Sequence, residues 1–228
     1  MPADRSQTLD ELLAEQLEYY GERADEYHLL FQGALEDPTG PLGRDGPIGR
    51  RLAELAAGLD VLELACGTGH WSEMLAEHAA SLTCVDASGD MLRVHADRIA
   101  APNVHRIEAD VFSWEPDRRY ELAFFGFWLS HVPDERMGDF WALVERALVS
   151  DGVAAFVDTG PREREHTRPL AGLPAPAELR TLQDGREFRI VKVRRHPVEL
   201  AHLLGRHGWH AEVVEVKPFF LFGTAVQG

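Results

Sequence analysis

The stretch Val61-Leu-Glu-Leu-Ala-Cys-Gly-Thr-Gly-His-Trp71 reads as a buried strand, a turn of small residues and the start of a helix. Small residues let the main chain approach a ligand closely, and the N–H groups of a helix N-terminus suit a negative group. The dinucleotide fingerprint needs a third glycine, G-x-G-x-x-G. Here Gly67-Thr-Gly69 is followed by Ser72 in that place, which weakens a nicotinamide reading without removing it.

Outward from this turn, strands and helices alternate. Strands are predicted at Val61–Leu64, Leu82–Val85, Val104–Glu108, Tyr120–Gly126 and Val153–Val157. Helices are predicted at Ile48–Ala57, Gly69–Ala80, Ser88–Ala100 (opened by a serine cap) and Glu135–Val149. Such alternation means βαβ units and a parallel sheet covered on both faces, and right-handed crossovers make it doubly wound. Further on, Leu179–Leu182 and Glu187–Val193 flank Gln183-Asp-Gly-Arg186, a hairpin with a predicted type I′ turn. Pro197–His207 is a helix ending before Gly208. Ala211–Val216 and Phe219–Ala225 are separated only by Lys217-Pro218, which forces an antiparallel pair.

Upstream, Leu9, Leu12, Leu13, Leu17, Tyr20, Ala24 and Tyr27 fall on one face of a helix predicted from Thr8 to Phe31, with Thr8 or Asp10 as cap. Asp37–Pro47 holds three prolines and three glycines and reads as a linker. Residues 1–47 are therefore expected to form a helical cap and linker, and 48–228 the main domain with an inserted hairpin at 178–194.

The 228 residues include 38 Asp and Glu against 23 Lys and Arg, a net charge of −15. That field repels polyphosphates, so no nucleic-acid partner is expected. No apolar window approaches the ~20 residues of a membrane helix, and the N-terminus has no signal-peptide core, so a cytoplasmic protein without membrane attachment is expected. Cys66 and Cys84 are too few for a disulfide framework, and no histidine has a ligand partner at helical spacing, so no metal is expected.

Two acidic residues extend the pattern of the glycine turn. Asp86 ends the second strand, 19 residues after Gly67, where a carboxylate suits a ribose diol. Asp110 ends the third strand in Glu-Ala-Asp-Val-Phe112, where it suits an adenine amine with Val111 and Phe112 along the ring. Either aspartate alone is an ordinary loop residue. Three successive strand ends carrying small or acidic residues form a ligand edge.

With LELACGTG (62–69), VDASGDML (85–92), EADVF (108–112) and FWLSHVPD (127–134), the chain from Tyr19 onward resembles the class I S-adenosylmethionine-dependent methyltransferases. The resemblance implies a Rossmann-like seven-stranded sheet of order 3-2-1-4-5-7-6 with strand 7 antiparallel. It implies S-adenosyl-L-methionine as cofactor and S-adenosyl-L-homocysteine as product. It places Glu63, Ala65, Gly67 and Gly69 against the methionine part, Asp86 on the ribose, Met91 on the adenine, and Asp110 with Val111 at its amine. Tyr20 and Phe127 join the cofactor-binding set. Ala65 stands where the family usually has a glycine.

Methyl transfer from a sulfonium is an in-line displacement in which alignment and a dry site do most of the work. His131, past the fourth strand, is a candidate base or a structural residue. In the hairpin strand, Phe188, Ile190 and Lys192 share one face by alternation, and Lys192 either snorkels to water or faces an anion. RTLQDGRxFRIVKV (180–193), with YYxxRAxEY (19–27), is similar to the dehydrophos-pathway phosphonate O-methyltransferase group. That similarity implies that Arg180, Lys192 and an N-terminal tyrosine, Tyr27 among the candidates, hold an anionic acceptor. The expectation is a small-molecule O-methyltransferase of secondary metabolism, a monomer or homodimer, acting on a phosphonate or carboxylate. The alternatives are a methyltransferase of a neutral hydroxyl or amine with His131 as base, and a cofactor-binding protein without catalysis.

Overall fold

The computed structural model describes residues 7–27, 37–161, 168–216 and 219–228. Its main sheet is built from β1 (Asp60–Leu64), β2 (Ser81–Asp86), β3 (Val104–Glu108), β4 (Tyr120–Gly126), β5 (Leu148–Thr159), β9 (Trp209–Val216) and β10 (Phe220–Gln227). Their order is β3-β2-β1-β4-β5-β10-β9, with β10 antiparallel to both neighbours. This is the expected doubly wound α/β sheet, with β10 alone reversed by the short connection from β9.

Strand parity divides the core in two. Leu62, Leu64, Val85, Phe125 and Phe156 pack against α6 (Asp134–Ala147) and α7 (Pro197–Arg206). Val61, Leu82, Cys84, Leu122 and Phe124 pack against α3 (Pro47–Ala56), α4 (Ser72–His78) and α5 (Gly89–Arg98). Both faces being covered, the central strands read as apolar runs rather than as alternation. Ser88 caps α5 as expected, accepting from the Met91 N–H at 3.2 Å. Helix α4 starts later than expected, because the chain through Gly67 and Gly69 is at positive φ and cannot enter a helix before Ser72.

The inserted hairpin belongs to a second sheet of three strands, β6 (Arg168–Leu170), β7 (Ala177–Thr181) and β8 (Glu187–Val191), in that order. Its turn is not type I′. Only Gly185 has positive φ there, and the Gly185 N–H returns to Leu182 O at 3.0 Å, so the loop is a type I turn closed by a left-handed glycine. Strand β8 is an edge, and α1 (Leu9–Glu22) covers it. Glu15 accepts the Arg189 N–H at 2.6 Å and Gln16 Oε1 accepts the Val191 N–H at 3.0 Å, so the outward donors of the edge are satisfied by helix side chains. Thr8, not Asp10, caps α1 in a capping box with Glu11. The helix expected to reach Phe31 breaks at Arg23, and α2 (Ala24–Tyr27) follows; positions 28–31 lie outside the described residues.

The expected linker is a set of tight turns. A Cβ on Gly43 or Gly46 would lie 2.3 or 1.8 Å from backbone carbonyl oxygens, and Leu42 and Ile48 are buried. In the main sheet, Gly223 pairs with Phe156, and a Cβ there would lie 2.3 Å from the ring. Gly223→Ala is expected to cost about 2 kcal/mol by overpacking and to lower Tm by roughly 4–8 °C in a chain of this size. An unchanged melting curve would contradict this packing.

Candidate active site

A cavity of about 370 Å³ opens at the carboxyl ends of β1 to β4 under α1 and α2. Its floor includes Ala65, Gly67, Asp86, Asp110, Val111 and Phe127; its roof includes Leu13, Gln16, Leu17, Tyr20 and Tyr27; Met91, Trp128, His131 and Arg136 stand in the walls. Ala65 and Phe127, each one residue past the end of a strand, have φ of 52° and 56°. Among the described residues they are the only non-glycine positions in the left-handed region, and both line the cavity. Left-handed backbone is strained for a residue with a Cβ and recurs where a chain must turn sharply at a site. That conformation is the physical reason a glycine suits position 65.

Asp86 ties the two loops of the floor together. Its Oδ2 accepts the Gly67 N–H at 2.8 Å and its Oδ1 the Ser88 N–H at 2.9 Å. Burial pushes its pKa up, against these main-chain donors. Asp110 is exposed and closes its own turn by accepting the Phe112 N–H at 2.9 Å, beside buried Val111.

At the other wall, the ring nitrogens of His131 lie 2.8 Å from Val191 O and 2.9 Å from the Tyr20 hydroxyl. A carbonyl only accepts, so Nδ1 carries the proton and Nε2 accepts from Tyr20. Burial holds the His131 pKa well below its ordinary value, and Lys192, Arg180 and Arg194 add to this. His131 is thus a neutral acceptor already engaged by a phenol.

Four expected site residues do not line the cavity. Glu63 falls on the α4/α5 side of β1 by strand parity and accepts from Ser72 Oγ. Burial raises its pKa to about 8. Gly69, at φ 85°, serves packing, since a Cβ there would lie 2.5 Å from Ile99. Arg180 pairs with Glu178 at 3.0 Å, and Arg194 joins the same carboxylate. Lys192 lies past the end of β8, is buried, and donates to Ser130 Oγ at 2.8 Å. It therefore leaves the face of Phe188 and Ile190, which pack with Tyr19.

Sequence reasoning missed Gln16, which lines the cavity one helical turn from Tyr20; that spacing was its available signal. It also missed Arg23, whose guanidinium lies 5.4 and 5.9 Å from the Tyr19 and Tyr27 rings.

Ligand atoms of Cys66, Cys84 and His95 converge within 4.8 Å of one another. However, His95 Nδ1 accepts from Arg106 at 2.8 Å, so Nε2 carries the proton and meets Ser72 at 2.9 Å. Neither nitrogen of that ring offers a lone pair to a metal. Asp158 and Asp134 are engaged by the Ser130 N–H and by Arg195.

Comparison with known proteins places this edge. A methyltransferase-domain family model matches residues 61–152. The structure of DhpI in complex with SAH is 40% identical over 97% of this chain and 99% of that one, with a TM-score of 0.81. A DhpI–SAM–HEP complex matches at the same identity and TM-score over 96% and 99%. The chain belongs to the class I S-adenosylmethionine-dependent methyltransferases. The demethylmenaquinone methyltransferase of Listeria monocytogenes is 31% identical over 116 residues, 48% of each chain. This methyltransferase thus spans about half the length of the curated relatives it matches.

S-adenosylmethionine is its cofactor, and the cavity fits that group. Gly67 presents bare backbone to the cavity, where a Cβ would come into contact with the Tyr27 ring at 3.9 Å. Val111, Met91 and Phe127 give apolar walls beside the two carboxylates, as a flat base and a polar sugar require.

Removing the Asp86 carboxylate frees the Gly67 loop and removes an acceptor. Asp86→Ala is expected to weaken S-adenosylhomocysteine binding in calorimetry ten- to a hundredfold; unchanged affinity would count against its place in the site. Glu63, with a pKa near 8 when folded against 4.5 as its ordinary value, is more protonated folded than unfolded between those limits. Its contribution to stability is fully present below about 4.5 and is lost as pH rises through about 8. Glu63→Gln should therefore gain Tm relative to the native protein at pH 9 compared with pH 5. A Tm difference equal at both pH values would show that Glu63 is charged throughout.

Proposed function

We propose that this enzyme methylates an anionic oxygen, phosphonate or carboxylate, of a small acceptor, in secondary metabolism. The observation that carries the reading is the group of cations beside His131: Lys192, Arg180 and Arg194, with one buried carboxylate, Glu178, between the two arginines. In a chain of net charge −15, this leaves local positive charge on the side of His131. The similarity to DhpI, whose solved complexes include SAM and HEP, supports the same reading.

In this reading α1 and α2 act as the cap of the site. The cofactor supplies an electrophilic methyl group, which passes to the acceptor oxygen as the sulfonium bond breaks. Asp86 and Asp110 take the ribose and the adenine amine, while Tyr20, Met91, Val111 and Phe127 exclude water around them. The acceptor arrives already deprotonated, so no base is needed. Lys192 and Arg180, held outside the cavity by Ser130 and Glu178, turn from these partners to the oxygens that do not attack, because a cation on the attacking oxygen would quench its nucleophilicity. Tyr27 closes the same pocket from the cap. His131 orients the Tyr20 hydroxyl rather than removing a proton from the acceptor.

Two measurements test this. Arg180→Ala and Lys192→Ala should each lower kcat/KM for a phosphonate or carboxylate acceptor by about 2–5 kcal/mol in transition-state terms, with affinity for S-adenosylhomocysteine kept. Full efficiency in both variants would make the hairpin purely structural. Because His131 stays neutral far below its usual range, kcat/KM should show no inflection near pH 6.5. A bell whose acid limb falls there would restore His131 as the base and a neutral hydroxyl or amine as the acceptor.

A further inference from the structure

We propose that Gln16 is an acceptor-specificity residue, donating a hydrogen bond from its carboxamide NH₂ to a non-attacking oxygen of the acceptor. Gln16 is 5% exposed and lines the cavity. The two ends of its amide are chemically distinct, and the structure assigns them. The Val191 N–H lies 3.0 Å from Oε1 and needs an acceptor, so the oxygen end is committed to β8 and the side chain cannot flip. Among the described residues no hydrogen bond takes Nε2. The end left for the cavity is therefore a neutral donor with two hydrogens.

Its position points to the acceptor rather than the cofactor. Val191, which holds Gln16, also receives the His131 Nδ1–H at 2.8 Å and directly precedes Lys192. Tyr20, four residues on, is the partner of His131. Gln16 thus belongs to the wall made by α1, His131 and the end of β8, while Asp86 and Asp110 belong to the β2 and β3 ends. A donor that carries no charge complements an anion's oxygens without adding a cation that would hold the attacking one. It also discriminates. A phosphonate or carboxylate offers further oxygens to such a donor, whereas a simple alcohol or amine offers only the reacting atom.

The proposal rests on the anionic-acceptor reading, and the test separates the two. Gln16→Glu keeps an oxygen for the Val191 N–H and replaces the donor by a negatively charged acceptor. Methylation of an alkylphosphonate and of a carboxylate is measured, with S-adenosylhomocysteine affinity by calorimetry and Tm alongside. The expected result is a rise in KM for the anionic acceptor of tenfold or more, with S-adenosylhomocysteine affinity within twofold. Gln16→Met, of similar length and without either polar end, serves if the glutamate variant fails to fold, and should show the same split. Native KM in a folded variant overturns the proposal, as does an equal loss of S-adenosylhomocysteine affinity, which would put Gln16 on the cofactor. If the native enzyme methylates neither acceptor, the anionic-acceptor reading itself falls, and this proposal with it.

Discussion

One residue, Val191, joins the parts that make this active site through the main-chain groups on either side of its Cα. The Val191 N–H is held by Gln16 of the cap helix, and the Val191 carbonyl holds the His131 ring beyond β4. Both groups are buried, and a buried main-chain donor or acceptor left without a partner is costly. The cap, the three-stranded sheet and the loop after β4 therefore meet in one register. The neighbouring bonds follow the same register: the Val193 N–H to Ser130 O at 2.7 Å and Lys192 Nζ to Ser130 Oγ at 2.8 Å. Glu15 and Arg189 reinforce it at the rim of the same edge.

The cofactor side depends on the main sheet instead. Its parallel strands end at one edge, and the chain must turn down from each end into a helix. The left-handed conformations of Ala65 and Gly67 make the turn after β1 and that of Phe127 the turn after β4, and the Asp86 carboxylate ties the loop after β1 to the loop after β2. Strain at the loop is offset by packing below it, where α4 and α5 close over the buried Glu63, Ser72 and His95. In this account, binding of the cofactor and choice of the acceptor are separable. They use different walls of one cavity, which is why variants in the hairpin and the cap are expected to spare affinity for the cofactor product.

Much of the fold was legible in the sequence because strand and helix periods differ and glycine turns are punctuated. The alternation of strands and helices, the serine cap at Ser88 and the antiparallel end followed from local rules, whereas the strand order came from the family resemblance. Strand parity puts Leu62 and Leu64 on one face of β1 and Glu63 on the other, away from the cavity. The turn at Asp184-Gly185 escaped because the dipeptide serves two loop types, and only the φ of Asp184 separates them. Strand β6 escaped because three residues carry no period. Lys192 and Arg180 escaped in another way: their charges were visible, but Ser130 and Glu178, which hold them, come from elsewhere in the chain. Gln16 was the hardest to see, since a polar residue on a helix is ordinarily exposed and only the sheet edge above it makes it buried.

The central claim is that the end of the inserted hairpin and the cap together form an anion site beside the cofactor. A crystal structure with S-adenosylhomocysteine and an alkylphosphonate tests it most directly. The account predicts phosphonate oxygens within hydrogen-bond distance of Lys192 Nζ or the Arg180 guanidinium, one oxygen facing the position of the departed methyl group. A phosphonate bound away from both cations, or none bound while S-adenosylhomocysteine fills its cavity, would contradict it.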